Sequence, residues 1–172
     1  TKKKFSSIRL SAVMILLYPH DDILHIAFFK RAETDGPHAG QIAFPGGKKD
    51  KQDATLLETA LRETEEEFGI NRNEIDILGA LTKIFIPVSN SDVHPYVGFI
   101  DHKPDFKPNA SEVEYIIESP LNDLFKPENK VTLTKHRHGL TIITPLYKFH
   151  HEEIWGATAM ITSEFEEIYQ QI

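Results

Sequence analysis

The sequence predicts an α+β domain in which strands lie before, between and after two helices. Three observations lead to this prediction. Two β-rich runs joined by turn-like residues occur within residues 11–31. Apolar side chains recur at helical spacing in residues 53–68 and again in residues 157–172. Further strand-like runs lie between these helices, so we expect one layered domain over residues 1–172, with residues 1–8 as a flexible tail.

A β-hairpin is the first predicted element. Residues 11–18 and 23–31 are β-rich runs of strand length, SAVMILLY and ILHIAFFKR. Residues 19–22, Pro-His-Asp-Asp, lie between them and have the composition of a turn. The three segments together predict two antiparallel strands near the start of the domain.

A loop and a glycine-containing turn are predicted after the hairpin. Gly36 and Gly40 interrupt the sequence there, and residues 41–44 then form a short strand-like run. We expect residues 45–47, Pro-Gly-Gly, to form a turn, because glycine lets the backbone come close to another group.

The first predicted helix covers residues 53–68. Its stripe of packed positions consists of Leu57, Leu61, Thr64 and Phe68. This spacing is typical of a helix with one buried face. We expect Asp53 to be the N-cap and Gly69 to end the helix.

The later elements are predicted from apolar runs and the loops between them. Strand-like runs cover residues 75–86, 96–100, 112–118 and 140–149, and residues 87–92 form a loop. A C-terminal helix is expected over residues 157–172, which contain regularly spaced apolar residues. Trp155 comes just before this helix and could offer a stacking face with Gly156, but a lone Trp beside an apolar helix is more typical of the core.

Composition and charge exclude several classes of function. With a net charge of -7, the chain is poorly suited to binding nucleic acid or anionic membranes, which attract clustered Lys and Arg. An acidic protein that handles phosphates would need a cation between itself and its substrate. The lack of cysteine excludes disulfides and suits a cytoplasmic location. The apolar run over residues 12–17 is too short to span a bilayer, so neither a membrane anchor nor a signal peptide is expected.

Four carboxylates are crowded into residues 63–67 of the first helix. Glu63 faces Glu66 at i+3 and Glu67 at i+4, and like charges at this spacing destabilise a helix. A solvated charged face would account for them, but such a face would normally include lysines, and Arg62 is the only basic residue of this helix. The alternative is a site for a hard divalent cation, Mg²⁺ or Mn²⁺, which prefers oxygen ligands.

Arg62 and the preceding glycines fit the cation interpretation. A guanidinium can hold a carboxylate by a bidentate pair and orient it toward a metal ion. The expected turn at residues 45–47 would bring a backbone carbonyl toward the same ion. The turn and the helix would then form one site.

The helix and the glycines resemble a known family motif. Gly47 followed by residues 62–70, RETEEEFGI, is similar to the Nudix box, G-x5-E-x7-R-E-U-x-E-E-x-G-U with U apolar. The chain has one more residue than the box between Gly47 and Arg62, with Asp53 at the place of the first Glu and Thr64 at an apolar place. The resemblance implies a Nudix-like α/β/α sandwich with a central mixed β-sheet flanked by helices. It also implies hydrolysis of nucleoside diphosphate derivatives with Mg²⁺ or Mn²⁺.

Segments outside the box resemble the coenzyme A diphosphatase branch of this family. They are residues 28–31, FFKR, and 38–47, HAGQIAFPGG, before the box, and residues 87–89, 112–121 and 154–159 after it. With them the resemblance covers roughly residues 12–170. This branch usually has an Arg where the chain has Gly36, and Lys30, Arg31 or Lys48 could replace it.

The resemblance implies roles for individual residues. The implied catalytic residues are Arg62, Glu63, Glu66, Glu67 and Glu112, and the implied metal ligands are Gly47, Glu63, Glu66 and Glu67. Glu66, Glu67 or the distant Glu112 could activate water, although Glu112 is equally well explained as a surface loop acid. The candidate substrate-binding residues are Lys30, Arg31, His38 and Lys48, and loop packing would also account for His38.

Three functions remain open at the level of sequence. The first is a diphosphatase that cleaves coenzyme A or acyl-CoA to 3',5'-ADP and a phosphopantetheine. The second is the same reaction on ADP-ribose, a nucleotide sugar, a dinucleotide or an oxidised nucleotide. The third is a Nudix-fold module that senses a nucleotide without cleaving it, although such a module has no reason to keep three mutually repelling glutamates. None of them requires nucleic acid or a membrane, and a homodimer is left open.

Overall fold

A computed structural model of the chain describes residues 7–33, 38–137 and 139–172. The predictions for Gly36 and for most of the N-terminal tail lie outside the described residues. The described chain forms a mixed central sheet with a helix on each face and a separate three-stranded sheet. The predicted α+β class and the α/β/α sandwich are confirmed.

The central sheet contains eight strands. They are β1 (Arg9–His20), β2 (Ile23–Arg31), β3 (Ile42–Ala43), β4 (Gly46–Lys48), β5 (Asp76–Ala80), β6 (Ile84–Ile86), β7 (Ser91–Phe99) and β8 (Val113–Pro120). The order is β3-β2-β1-β7-β5, with β4 also on β1, β6 on β7 and β8 on β2. The sheet is mixed because β1 runs parallel to β7 and antiparallel to β2.

The remaining elements of the described residues are three helices and a small sheet. The helices are α1 (Leu56–Phe68), α2 (Leu121–Leu124) and α3 (Gly156–Tyr169), with 3₁₀ turns at Arg72–Glu74 and Pro127–Asn129. The small sheet consists of β9 (Lys130–Arg137), β10 (Leu140–Phe149) and β11 (Glu152–Ile154). Among the described residues, no helix is long and apolar enough to cross a membrane.

The central sheet separates two apolar cores. Met14 and Leu16 of β1 pack with Phe68 of α1 on one face. Ile15 and Leu17 pack on the opposite face, which is covered by the apolar side of α3. Successive side chains of a strand point to opposite faces, so the apolar run of β1 contributes to both cores and positions both helices.

The predicted hairpin is confirmed, with a shorter turn than expected. Pro19 and His20 belong to β1 and pair with β2, so only Asp21 and Asp22 form the turn. Their φ values are 50° and 59°. Positive φ at both positions is what a two-residue turn between twisted strands requires.

The prediction of a turn at residues 45–47 is wrong for Gly46 and Gly47. Only Pro45 is a bend, whereas Gly46 and Gly47 lie in β4 and pair with Val13 and Ala12 of β1. A Cβ atom at Gly46 would lie 2.3 Å from the Ala12 carbonyl oxygen. Glycine is therefore needed here for the close approach of two strands.

The predicted helix α1 is confirmed, but its N-cap is Thr55 and not Asp53. The Thr55 side chain accepts a hydrogen bond from the Glu58 N–H, and the Glu58 carboxylate accepts one from the Thr55 N–H. This reciprocal pair is a capping box. Gly69 ends the helix at a φ of 66°, as predicted, in the left-handed conformation that favours glycine.

The second half of the chain departs further from the prediction. Residues 75–86 form two strands, β5 and β6, which both pair with β7. β7 begins at Ser91, inside the predicted loop, and α2, β9 and β11 were not predicted. The strands β8 and β10 and the helix α3 are confirmed, with ends shifted by up to three residues.

Candidate active site

The strand β4 and the helix α1 bring the glycines and the acidic residues together. A Cβ atom at Gly47 would lie 2.5 Å from the carboxyl carbon of Glu63. The N–H of Gly46 donates a 2.8 Å hydrogen bond to Oε2 of Glu67. Two residues of α1 therefore contact β4 where its backbone is free of side chains.

Arg62 is the centre of a charge network at this contact. Its Nε and Nη2 both donate to the Asp53 carboxylate at 2.9 Å, which is bidentate geometry. Its Nη1 donates to Glu63 at 2.9 Å and to Glu66 at 3.1 Å. Its Nη2 also donates to the Lys48 carbonyl at 3.2 Å. One guanidinium thus orients three carboxylates and the end of β4.

Asp53 is the residue of this network that sequence reasoning missed. It is buried and also accepts hydrogen bonds from the Thr59 hydroxyl at 2.9 Å and the Asp50 N–H at 2.8 Å. Its hydrogen bonds from Arg62 are the main reason that its pKa lies well below the usual value. Asp53 in turn raises the pKa of Arg62. The available signal was its place in the motif, where the first Glu of the box would fall.

Glu67 is a buried acid beside like charges. Its side chain is almost fully enclosed, with 1% exposed. Burial raises the pKa of Glu67 to about 8, and the charges of Glu63 and Glu112 act in the same direction. The Gly46 hydrogen bond and the Arg31 charge oppose this rise. Glu67 therefore lies in surroundings that disfavour its ionised form.

The donor set fits a hard divalent cation. The pKa of Glu63 is also raised, chiefly by burial, so a cation would offset the unfavourable burial of two carboxylates. The absent side chain of Gly47 leaves Glu63 room against the β4 backbone. In the part of the chain that the structure describes, no three His, Asp or Glu side chains are already arranged around one metal position. Arg62 holds Glu63 and Glu66 instead.

Glu112 lies in the turn before β8, one residue ahead of this strand. Its side chain accepts a 3.1 Å hydrogen bond from Asn109, and its carbonyl accepts one of 2.9 Å from the Ala32 N–H. The Asn109 N–H donates to the Glu67 carbonyl at 3.1 Å, which fastens this turn to the end of α1. Glu112 is exposed, and its charge acts on both Glu63 and Glu67. The turn thus places a further carboxylate where its charge acts on Glu63 and Glu67.

Three of the four predicted substrate-binding residues line one cleft. This cleft has a volume of about 450 Å³ and is lined by Arg31, His38 and Lys48 together with Gly46 and Gly47. The Nδ1 atom of His38 lies 3.1 Å from an amide oxygen of Gln41, which also lines the cleft. Positive charge and Gly47, one of the candidate metal ligands, therefore border the same cavity.

Lys30 is placed apart from the other three residues. It does not line the cleft, and its Nζ lies 3.4 Å from the Glu152 carboxylate and above the Tyr115 ring. Adjacent residues of a strand point to opposite faces. Lys30 and Arg31 therefore lie on opposite faces of the sheet. Only Arg31 lies on the side of the α1 carboxylates, where its charge acts on Glu67.

Trp155 does not lie in the core, so the core interpretation is wrong. Its side chain is 45% exposed and lines the cleft. Trp155 is the N-cap residue of α3, and the buried positions of this helix begin only at Ala159. The apolar stripe that suggested a core position thus starts one turn after the tryptophan.

The fold, the acidic helix and the glycine strand define a Nudix protein. The family model of the NUDIX domain matches residues 8–138, which is most of the chain. The chain belongs to the Nudix hydrolase family. A relative from Yersinia enterocolitica, described as the uncharacterized Nudix hydrolase NudL, is 39% identical over 132 residues, which are 77% of this chain and 67% of the relative. The chain spans about two thirds of the length of the curated relatives that it matches.

Solved structures share the fold at low sequence identity. A MutT/nudix family protein from Enterococcus faecalis has a TM-score of 0.66 and 18% identity, covering 99% of this chain and 65% of its own. A bifunctional NMN adenylyltransferase/ADP ribose pyrophosphatase from Francisella tularensis, in complex with AMP and a manganese ion, has a TM-score of 0.56 and 17% identity. That match covers 69% of this chain and 36% of the Francisella protein. Both likenesses concern the fold alone.

Proposed function

We propose that the chain is a metal-dependent diphosphatase that hydrolyses the diphosphate linkage of a nucleoside diphosphate derivative. The observation that carries the proposal is the contact of Glu63 and Glu67 with the glycines of β4, at a cleft that is also lined by Arg31 and Lys48. Buried carboxylates that lie close together are unfavourable unless a cation is bound. Membership of the Nudix hydrolase family supports the reaction class.

The residues of the chain have separate tasks in this reaction. Arg31 and Lys48 provide positive charge in the cleft for the substrate diphosphate. Arg62, fixed by Asp53, orients Glu63 and Glu66. Mg²⁺ or Mn²⁺, held by the carboxylates of α1 and the Gly47 carbonyl, would neutralise charge on the phosphate oxygens and lower the pKa of a bound water. The Francisella fold neighbour was solved in complex with AMP and a manganese ion.

The proton of the attacking water needs an acceptor among the acidic residues. Glu66, Glu67 and Glu112 are the candidates. Arg62 donates a hydrogen bond to Glu66, the Gly46 N–H donates one to Glu67, and the Asn109 side chain donates one to Glu112. Phosphoryl transfer depends mainly on positioning and charge neutralisation, so a carboxylate not engaged with the cation suffices as the base.

Coenzyme A or acyl-CoA is the substrate that we propose within this activity, with 3',5'-ADP and (acyl)phosphopantetheine as products. Residues 38–47 and 154–159, which carry the resemblance to the coenzyme A branch, both contribute to the cleft. ADP-ribose, nucleotide sugars, dinucleotides and oxidised nucleotides are the alternative substrates, and a nucleotide-sensing module is the alternative class. The lack of cysteine supports a cytoplasmic location, and a homodimer stays a prediction.

A substrate panel with a matched pair of variants tests the proposal. Coenzyme A, dephospho-coenzyme A and ADP-ribose are incubated with Mg²⁺ or Mn²⁺, and the products are separated by ion-exchange chromatography. We expect coenzyme A to be cleaved fastest, and Glu66→Gln to abolish cleavage. Glu65→Gln is the control, because Glu65 lies on the same helix but pairs with Arg72 at 2.9 Å.

Each outcome of the panel selects one function. Cleavage of ADP-ribose but not coenzyme A would support the alternative substrates. If neither metal produced cleavage of any diphosphate, the sensing module would replace the enzyme.

A further inference from the structure

The backbone on both sides of Trp155 is fixed, although its side chain is exposed. Ile154, the preceding residue, pairs with Tyr147 of β10. The Thr158 hydroxyl donates a 3.1 Å hydrogen bond to the Ile42 carbonyl, which holds the start of α3 against β3. An indole ring carried by such a rigid segment is preorganised to receive a ligand, because little order is lost when the ligand binds.

The cleft beside Trp155 combines exposed apolar side chains with positive charge. Val88, which also lines it, is 75% exposed, and Trp155 is 45% exposed. Large apolar side chains that remain exposed in a concave site indicate ligand binding. Arg31 and Lys48 line the same cavity, whose volume of about 450 Å³ is in the usual range for small-molecule sites. The cleft thus suits a ligand with a charged part and a flat apolar part.

We propose that Trp155 stacks on the nucleobase of the diphosphate substrate and is a specificity-determining residue of this enzyme. This inference rests on the proposed function, because it assigns the cleft near β4 to the diphosphate and the indole face to the ring at one end of the substrate. A base stacked on an aromatic side chain contributes binding whatever its hydrogen-bonding edge, since every base has a π-face. Trp155 therefore selects nucleotides over diphosphates without an aromatic ring.

Intrinsic fluorescence tests this stacking directly, because Trp155 is the only tryptophan of the chain. The protein is titrated in Mg²⁺ with AMP and, as the matched ligand without a base, with ribose 5-phosphate. Excitation is set where adenine does not absorb. We expect saturable quenching by AMP and none by ribose 5-phosphate. No response to AMP, or an equal response to both ligands, would overturn the proposal.

Variants extend the test to turnover. We expect Trp155→Leu to raise KM for the best nucleoside diphosphate substrate about tenfold with little change in kcat, and Trp155→Phe to restore most of the affinity. Phe85→Leu is the control, because Phe85 is 49% exposed and does not line the cleft. An unchanged KM in Trp155→Leu, an equal rise in Phe85→Leu, or a loss confined to kcat would contradict stacking.

The two proposals fail in different ways. Quenching of the Trp155 fluorescence by AMP does not need hydrolysis. Quenching without activity would therefore contradict the proposed diphosphatase and support the stacking site. Activity without quenching would support the proposed diphosphatase and contradict the stacking site. Thermal unfolding of Trp155→Leu, measured beside the wild type, shows whether the variant is folded.

Discussion

Two buried glutamates lie on helices of this protein in opposite surroundings. Glu67 of α1 is 1% exposed, and Glu166 of α3 is 4% exposed. Glu166 accepts hydrogen bonds from the Lys130 ammonium at 2.7 Å and the Tyr147 hydroxyl at 2.5 Å. Glu67 accepts a bond from the Gly46 N–H and lies near other carboxylates. Glu166 is thus paired with a cation at hydrogen-bond distance, whereas Glu67 has one backbone donor and the charge of Arg31 against the like charges of Glu63 and Glu112.

The difference teaches that burial alone does not identify a functional acid. A buried carboxylate is stable when a cation and hydrogen-bond donors satisfy it, as Lys130 and Tyr147 do for Glu166. Glu166 thereby fastens β9 and β10 to α3 and has a structural role. Glu67 has a pKa raised to about 8 by its burial, which is typical of a group whose surroundings serve a ligand or a reaction.

The largest expected effect is on activity and separates the two glutamates. Glu67→Gln should lower kcat/KM by about 10³-fold, because the amide cannot bind a cation as a carboxylate does or accept a proton. Glu166→Gln should keep kcat/KM within about twofold, because the hydrogen bonds of Glu166 go to Lys130, Tyr147 and Gln170 rather than to β4. Steady-state kinetics on the best substrate of the panel measure both. Equal losses in the two variants would remove the distinction between a functional and a structural acid.

The next effect is on stability and concerns Asp53. This buried acid of the site is paired with the Arg62 guanidinium. Arg62→Ala should lower the free energy of unfolding by about 4 kcal/mol, because it leaves Asp53 buried and unpaired. Arg72→Ala is the matched control, since its pair with Glu65 is exposed and is expected to contribute less than about 1 kcal/mol. Urea denaturation of both variants measures the difference. Similar losses would mean that the Arg62 network is no more than a surface ion pair.

The helix α1 could be predicted because its information is local. The left-handed end at Gly69 follows from the residue type alone, and a Cβ atom there would also lie 2.1 Å from the Lys107 carbonyl oxygen. The placement of Glu63, Glu66 and Glu67 on one face of the helix also follows from their spacing in the sequence. The N-cap at Thr55 was also available from the sequence, because Thr55 and Glu58 have the spacing of a capping box. The role of Asp53 was not, because it depends on the contact with Arg62.

Other features depend on contacts that no short segment reveals. β9 has the mixed sequence KVTLTKHR, and it is a strand because β10 pairs with it along its length. Lys30 and Arg31 are neighbours in sequence, but the sheet directs them to different faces. The apolar helix that follows Trp155 favours a core position over a stacking face, whereas the exposure of this residue is set by the cleft between α3 and the central sheet.

A smaller effect is expected when the pH is varied without metal. The pKa of Glu67 is raised from 4.5 to about 8 in the folded protein. Its contribution to stability is therefore fully present below pH 4.5 and is lost as the pH rises toward 8, because the unfolded chain ionises first. Between pH 5 and 8 in EDTA, the wild type should lose on the order of 3 kcal/mol more than Glu67→Gln. Urea denaturation at several pH values checks this.

Added metal is the control for the pH effect. Mg²⁺ or Mn²⁺ binds the ionised carboxylates, so it should reduce the difference between the wild type and Glu67→Gln at pH 8. Parallel pH profiles of the two proteins in EDTA would show that Glu67 is ionised in the folded protein and is satisfied like Glu166.

The smallest expected effect concerns the structural acid itself. Glu166→Gln should lower the free energy of unfolding by about 2 kcal/mol, because it weakens hydrogen bonds to a charged group and leaves Lys130 without its partner. The double variant with Lys130→Met should lose less than the sum of the single losses, since each substitution removes the same pair. A loss of this size with activity retained is the reverse of the Glu67→Gln pattern. Additive losses would mean that Lys130 does not stabilise Glu166, and the contrast between the two buried glutamates would then depend on the hydrogen bonds from the Tyr147 hydroxyl and the Gln170 side chain.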